Sequence, residues 1–125
     1  MNRSMIAMSL ISALILGSAQ AGTVTTVPVY VSPHFAYGSV STARHSSDQN
    51  QSIGCGVYGT STHHTYVYCS AHDAAGHSMY CATYDPAINL VQAVQSVNAT
   101  SNITIDSDAS YSCTLIYASN FSMYL

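Results

Sequence analysis

From Ile53 onward the chain alternates apolar and polar positions with a period of two, and the alternation mirrors itself about two points. Folding the chain about Thr62 sets Cys55 opposite Cys69, Gly56 opposite Tyr68, Val57 opposite Val67 and Tyr58 opposite Tyr66. Matches of this kind are those of cross-strand pairs. A second fold about Ala75 sets Cys69 opposite Cys81 and Ala71 opposite Met79. There Asp73-Ala74-Ala75-Gly76 suits a type I turn closed by a left-handed glycine. The pattern predicts a three-stranded meander over roughly 53–59, 65–73 and 77–84. Successive side chains point to opposite faces of a strand. One face therefore collects Ile53, Cys55, Val57, Val67, Cys69, Ala71, Met79 and Cys81. The other collects Tyr58, Tyr66, Tyr68, Ser70, His72, Ser78, Tyr80 and Tyr84. A slip of one residue would put tyrosines inside and aliphatics outside, so the register is well specified.

Asp85-Pro86 reads as a helix start. Asp85 would accept from the free backbone N–H groups, and Pro86 fits the first helical position. Ala87, Leu90, Val91, Val94 and Val97 recur at helical spacing, and the predicted helix ends near Asn98. Its apolar stripe should lie on the core face of the sheet. A second hairpin follows, with strands over 103–105 and 111–117 and a turn at Asp106-Ser107-Asp108-Ala109. Asn120 to Leu125 is apolar for a tail and is expected as a terminal strand; together with the alternating N-terminal arm, Phe121-Ser122-Met123-Tyr124-Leu125 also suits a surface-fibre subunit joined at sheet edges by strand addition. Before the meander, Thr23 to Val31 alternates loosely, but Pro28 and Pro33 confine it to an edge strand or an extended arm. Residues 38–52 are rich in Ser, Gly, Gln and Asn and read as loop. The expected class is α+β: an antiparallel sheet (three-stranded meander, one helix, β-hairpin) with the helix packed on one face.

The first residues change the compartment. Met-Asn-Arg-Ser carries one positive charge, an apolar run from Met5 to Leu16 follows, and Ala19 and Ala21 are the small residues a signal peptidase needs. A membrane span needs about 20 apolar residues, and this run is shorter and ends in a processing site. We expect residues 1–21 to be a signal peptide, 22–52 an arm and loop, and 53–125 a small disulfide-stabilised domain. The protein is then secreted or periplasmic, with no membrane span in the mature chain. Arg44 is the one basic side chain left, against Asp48, Asp73, Asp85, Asp106 and Asp108. Nucleic-acid binding needs several cations to displace phosphate counterions, and one arginine excludes it.

The four cysteines are Cys55, Cys69, Cys81 and Cys113. An even count in a small exported chain reads as two disulfides. Cys55, Cys69 and Cys81 fall on one rung, and Cys69 can bond only one neighbour. Cys55 and Cys81 would lie ~9–10 Å apart, two strand spacings, too far for a bridge. That leaves Cys55–Cys69 with Cys81–Cys113, or Cys69–Cys81 with Cys55–Cys113. We favour the first.

The segment resembles a group of small secreted four-cysteine bacterial proteins, from proteobacteria including myxobacteria, of unknown function. The residues that carry the resemblance are Ile53-Gly54-Cys55, the Cys69-Ser70-Ala71-His72-Asp73-Ala74-Ala75-Gly76 turn, Cys81, Asp85-Pro86 and Cys113-Thr114. These are turn, cap and disulfide positions. The resemblance therefore implies a fold and a compartment, and no activity.

Three constellations could carry chemistry. His63 and His64 in the first hairpin loop, and His72 and His77 flanking the second turn beside Asp73, offer imidazoles for zinc or copper. No recognised ligand spacing appears among them, and no cofactor is expected otherwise. Ser, His and Asp are plentiful, but no Gly-x-Ser-x-Gly elbow is present and the chain has no Glu, so we expect no enzyme. The stronger lead is the aromatic face: Tyr58, Tyr66, Tyr68, Tyr80 and Tyr84 with His72 between them. Several exposed aromatics on one face suggest a contact surface. Its occupant would be a glycan, a second copy of the protein, or the chain's own residues 22–37.

Overall fold

A computed structural model describes residues 24–124. The expected signal peptide lies outside them. The chain forms two antiparallel sheets and two short helices, an α+β arrangement. The first sheet is the meander β3 (Ser52–Gly59), β4 (Thr65–His72) and β5 (Ser78–Tyr84), in that order. Every pair expected from the two mirror points is present, from Tyr58 opposite Tyr66 to Ala71 opposite Met79. Gly76 closes the second turn at φ +89°, the left-handed region glycine enters without a Cβ clash. Its N–H bonds the Asp73 carbonyl at 3.1 Å.

The second sheet has the order β1 (Tyr30–Ser32), β2 (Phe35–Ser39), β6 (Ser101–Ser107) and β7 (Cys113–Asn120). Residues 22–52, expected as arm and loop, thus contribute an edge strand and an interior strand. They also hold the helix α1, Val40–Arg44. Ser39 caps α1, accepting from the Thr42 N–H at 3.2 Å. The edge position of β1 agrees with its flanking prolines. β2 escaped notice because its inward residues are Ala36 and Gly38, too small to mark a hydrophobic face. They must be small: they oppose Ile105 and Ile103 of β6, and a Cβ on Gly38 would lie 2.9 Å from the Val29 Cα. The expected hairpin of β6 and β7 therefore belongs to this second sheet and does not extend the meander. Its turn also lies later than expected: a bulge interrupts the ladder at Asp106/Ser107. Asp108 Oδ1 then gathers the N–H groups of Ser110 and Ser112 at 2.9 and 3.0 Å.

The inner faces of both sheets share one core with α2, Ile88–Gln95. Val94 is buried there, and Leu90, Val91 and Val97 pack at its margin. The helix starts later than expected. Its N-cap is Ala87, without a side-chain cap, because Asp85 is engaged elsewhere. Asp85 bonds back to β4: its N–H reaches the Thr65 carbonyl at 2.8 Å, and its carboxylate accepts the Thr65 N–H at 3.0 Å. The tail expected as a strand is a 3-10 turn, Ser122–Tyr124.

The favoured disulfides are the ones present, Cys55–Cys69 and Cys81–Cys113. The ladder gives a reason. Ala82 turns its N–H away from β4, to the Tyr111 carbonyl at 2.9 Å. By alternation, Cys81 turns towards β4, and Cys69 opposite it turns towards β5 and away from β3. Cys55 and Cys69 are therefore a non-hydrogen-bonded pair, the closer kind, and their Cα atoms are 4.0 Å apart. Cys81–Cys113 does different work, since it ties the meander to the second sheet. Disulfides of this kind fit an oxidising compartment. Among the described residues no helix is long and apolar enough to cross a membrane.

Candidate functional site

The meander presents its tyrosines outward. Five rings touch in a row across the three strands. His64 meets Tyr84 at 4.9 Å, Tyr84 meets Tyr66 edge-on at 5.9 Å, Tyr66 stacks on Tyr58 at 5.2 Å, and Tyr58 leans on Tyr68 at 6.4 Å. Such pairs lie within the range of favourable aromatic contact. Tyr68 also lies across Gly56, where an added Cβ would meet its ring at 2.5 Å. Glycine there leaves the ring its seat. Tyr58, Tyr68, Tyr80 and Tyr84 are 40–56% exposed, and Tyr66 is half-buried. Tyr80 and His72 share the face beyond the row, His72 bonded to the Ser52 hydroxyl at 3.0 Å. Of residues 22–37, expected as one cover for this face, β1 and the start of β2 lie instead in the second sheet.

The second sheet carries an outer aromatic face that the sequence reading missed. Tyr30 stacks on Tyr37 at 5.5 Å and Phe35 touches both. Tyr117 and Leu115 stand exposed on the same sheet. The signal was the alternation Phe35-Ala36-Tyr37-Gly38, which shows polarity reversed: large residues outside, small ones inside.

The histidines separate into two sites. His63 and His64 precede β4, whereas His72 is its last residue and His77 follows the turn after it, so the length of the strand separates the two groups, about 25 Å at normal rise. The four imidazoles offered for a metal are therefore not brought to one point. Each end instead holds one histidine–aspartate contact, His64 with Asp85 and His77 with Asp73, both with 2.8 Å between Nδ1 and Oδ2. The Thr65 N–H and then the His64 ring hold the Asp85 carboxyl below its ordinary range. At Asp73 burial opposes ionisation, but bonds from the His77 ring and N–H outweigh it. Desolvation and then the Asp85 charge push the Tyr84 hydroxyl up. Among the described residues the closest metal-like group is Cys69, Cys81 and Cys113, whose sulfurs lie within 4.8 Å. All three are oxidised, and a disulfide sulfur is a poor ligand.

Serine–histidine contacts occur too, Ser52 with His72, Ser107 with His34 and Ser41 with His45. None of these histidines is hydrogen-bonded to a carboxylate, and neither His64 nor His77, which are, bonds a serine hydroxyl. A nucleophile, base and orienting acid are thus not brought together among the described residues. An open cleft of about 690 Å³ lies between the edges of the two sheets, lined by Val31, Pro33, Ser78, Met79, Tyr80 and Tyr111.

Comparisons with family models, with curated proteins and with solved structures return no match to this chain.

Proposed function

We propose that the chain is a small exported, non-catalytic binding module whose contact surface is the tyrosine face of the meander. One observation carries this reading: a row of five touching rings, exposed on a disulfide-stapled sheet. Each tyrosine offers an apolar body and a hydroxyl tip. The face carries no Lys, Arg or Glu. Its chemistry suits an uncharged, hydroxyl-rich partner, and we take that partner to be a polysaccharide. Ordered rings lose little freedom on contact, which favours binding. Export through the N-terminal segment, and the resemblance to small secreted four-cysteine bacterial proteins, belong to the same proposal.

Cosedimentation with cellulose and with chitin tests it. The oxidised protein should partition to at least one of them. A Tyr58→Ser, Tyr66→Ser, Tyr84→Ser variant should lose that binding while keeping a cooperative melt. Equal partitioning of variant and parent, or none by either, would overturn the reading.

A further inference from the structure

We propose that the open edge of β5 receives, by strand addition, the Phe121–Leu125 segment of a second copy, so that copies join head to tail. This goes beyond the tyrosine face and rests on different atoms. The edge of β5 is already half occupied. Its later residues dock on the 111–113 segment: Ala82 N–H bonds the Tyr111 carbonyl at 2.9 Å, and the Thr83 hydroxyl bonds the Cys113 N–H and carbonyl at 2.9 and 3.2 Å. Backbone groups alternate in direction along a strand. Ser78 and Tyr80, in phase with Ala82, therefore turn their N–H and C=O groups to the same side. There they meet the cleft, and no bond from either to another element is made among the described residues. A row of unpaired edge groups is a template for a further strand. The opposite wall is β1, itself an edge strand and unbonded to β5.

The chemistry of the occupant follows from the lining. Val31, Pro33, Met79 and Tyr111 make the cleft apolar, and His77 is its one ionisable imidazole. A fitting strand is uncharged and apolar at every second residue. Phe121-Ser122-Met123-Tyr124-Leu125 has that pattern and no charge. Phe121 and Met123 are exposed in their own chain. The segment forms a 3-10 turn of three residues, and its Met123 carbonyl accepts the Thr25 N–H at 2.6 Å, so one turn and that bond must open to extend it. Extended, five residues span about 17 Å, enough to cover Ser78–Tyr80. The contact is between two different surfaces, so it propagates as an open chain wherever the rotation between copies does not close it into a ring.

Sedimentation velocity on the oxidised protein tests this with two variants. Ser78→Pro removes one edge N–H that the meander does not use, and proline is tolerated at the first residue of a strand. A chain ending at Asn120 lacks the donor. The parent should grow in mass with concentration, and each variant alone should stay monomeric with its melt retained. Mixed, they should form a 1:1 dimer and nothing larger, because one keeps the donor and the other the edge. Met123→Asp should act like the shortened chain. A parent that stays monomeric, or association unchanged by both variants, or no dimer in the mixture, would overturn the proposal. Loss of association in the tyrosine triple variant alone would assign it to the tyrosine face instead.

Discussion

Gly38 shows how much one position can carry. It lies on β2 opposite Ile103, and its missing side chain is the space that the backbone of Val29 fills. Gly54, also in a sheet, has nothing within 4 Å of where a Cβ would stand. The two glycines therefore separate backbone preference from packing. Gly54→Ala should be neutral or slightly stabilising, since alanine restricts the unfolded chain. Gly38→Ala must push Val29 away and should cost about 1–3 kcal/mol, the usual range for overpacking. Urea denaturation of both variants checks this, and equal midpoints would show that the Val29 contact is slack. Asp85 makes a similar point for polar residues. At φ 45° its backbone is in a region that asparagine and aspartate enter more readily than most residues. That backbone turns its carboxylate towards Thr65 and His64 and away from the helix it precedes.

At the scale of elements, the two disulfides differ in what they join. Cys55–Cys69 links neighbouring strands that already pair along eight rungs. Cys81–Cys113 links strands of different sheets, which otherwise hold each other by the core and a few bonds around Thr83. The sequence separations are 14 and 32 residues. Loop-closure entropy makes the longer bridge worth about 0.7 kcal/mol more, within a total of about 2–4 kcal/mol each. Replacing Cys81 and Cys113 by alanine should therefore lower stability more than replacing Cys55 and Cys69. It should also loosen the cleft between β1 and β5. Chemical denaturation of the two double variants is the measurement, and the reverse order would show that the core already fixes the sheets without the bridge.

At the scale of the whole molecule, charge is scarce and locally satisfied. The carboxyls of Asp48, Asp73, Asp85 and Asp108 are all held below their ordinary value of 3.8. Asp48 owes this first to the Gln51 side chain, and Asp108 first to the Ser110 hydroxyl. Carboxyls depressed in the folded state bind fewer protons there than in the unfolded chain, so acid favours unfolding. The stability they supply is present above the ordinary carboxyl value and is lost as pH falls through the lower folded values. The urea midpoint should thus fall steadily once pH drops below about 4. A midpoint that rises across that range would contradict the assigned bonds. The same scarcity of charge leaves two aromatic faces and an open sheet edge with little electrostatic repulsion to keep copies apart.

The register of the meander was legible in the sequence to the residue, and its strand ends to within one, because a period of two leaves no neutral slip. Moving β4 by one place would bury Tyr66 and Tyr68 and expose Val67 and Cys69. The turn at Gly76 follows from the same register, which also narrows the disulfides to two pairings; the hydrogen-bonding phase of the ladder decided between them. Tertiary structure decided what local pattern leaves free. β2 has small inward residues, and the size they must have is set by Ile103, Ile105 and Val29, remote in sequence. Asp85 could cap a helix or bind β4, and the backbone of Thr65 wins because it lies at hydrogen-bond distance only once β4 and β5 are paired. The hairpin of β6 and β7 could have extended the meander, but β2 takes the place beside β6. Which edge remains open, and which faces remain bare, are outcomes of assembly, since both depend on where every other strand has gone.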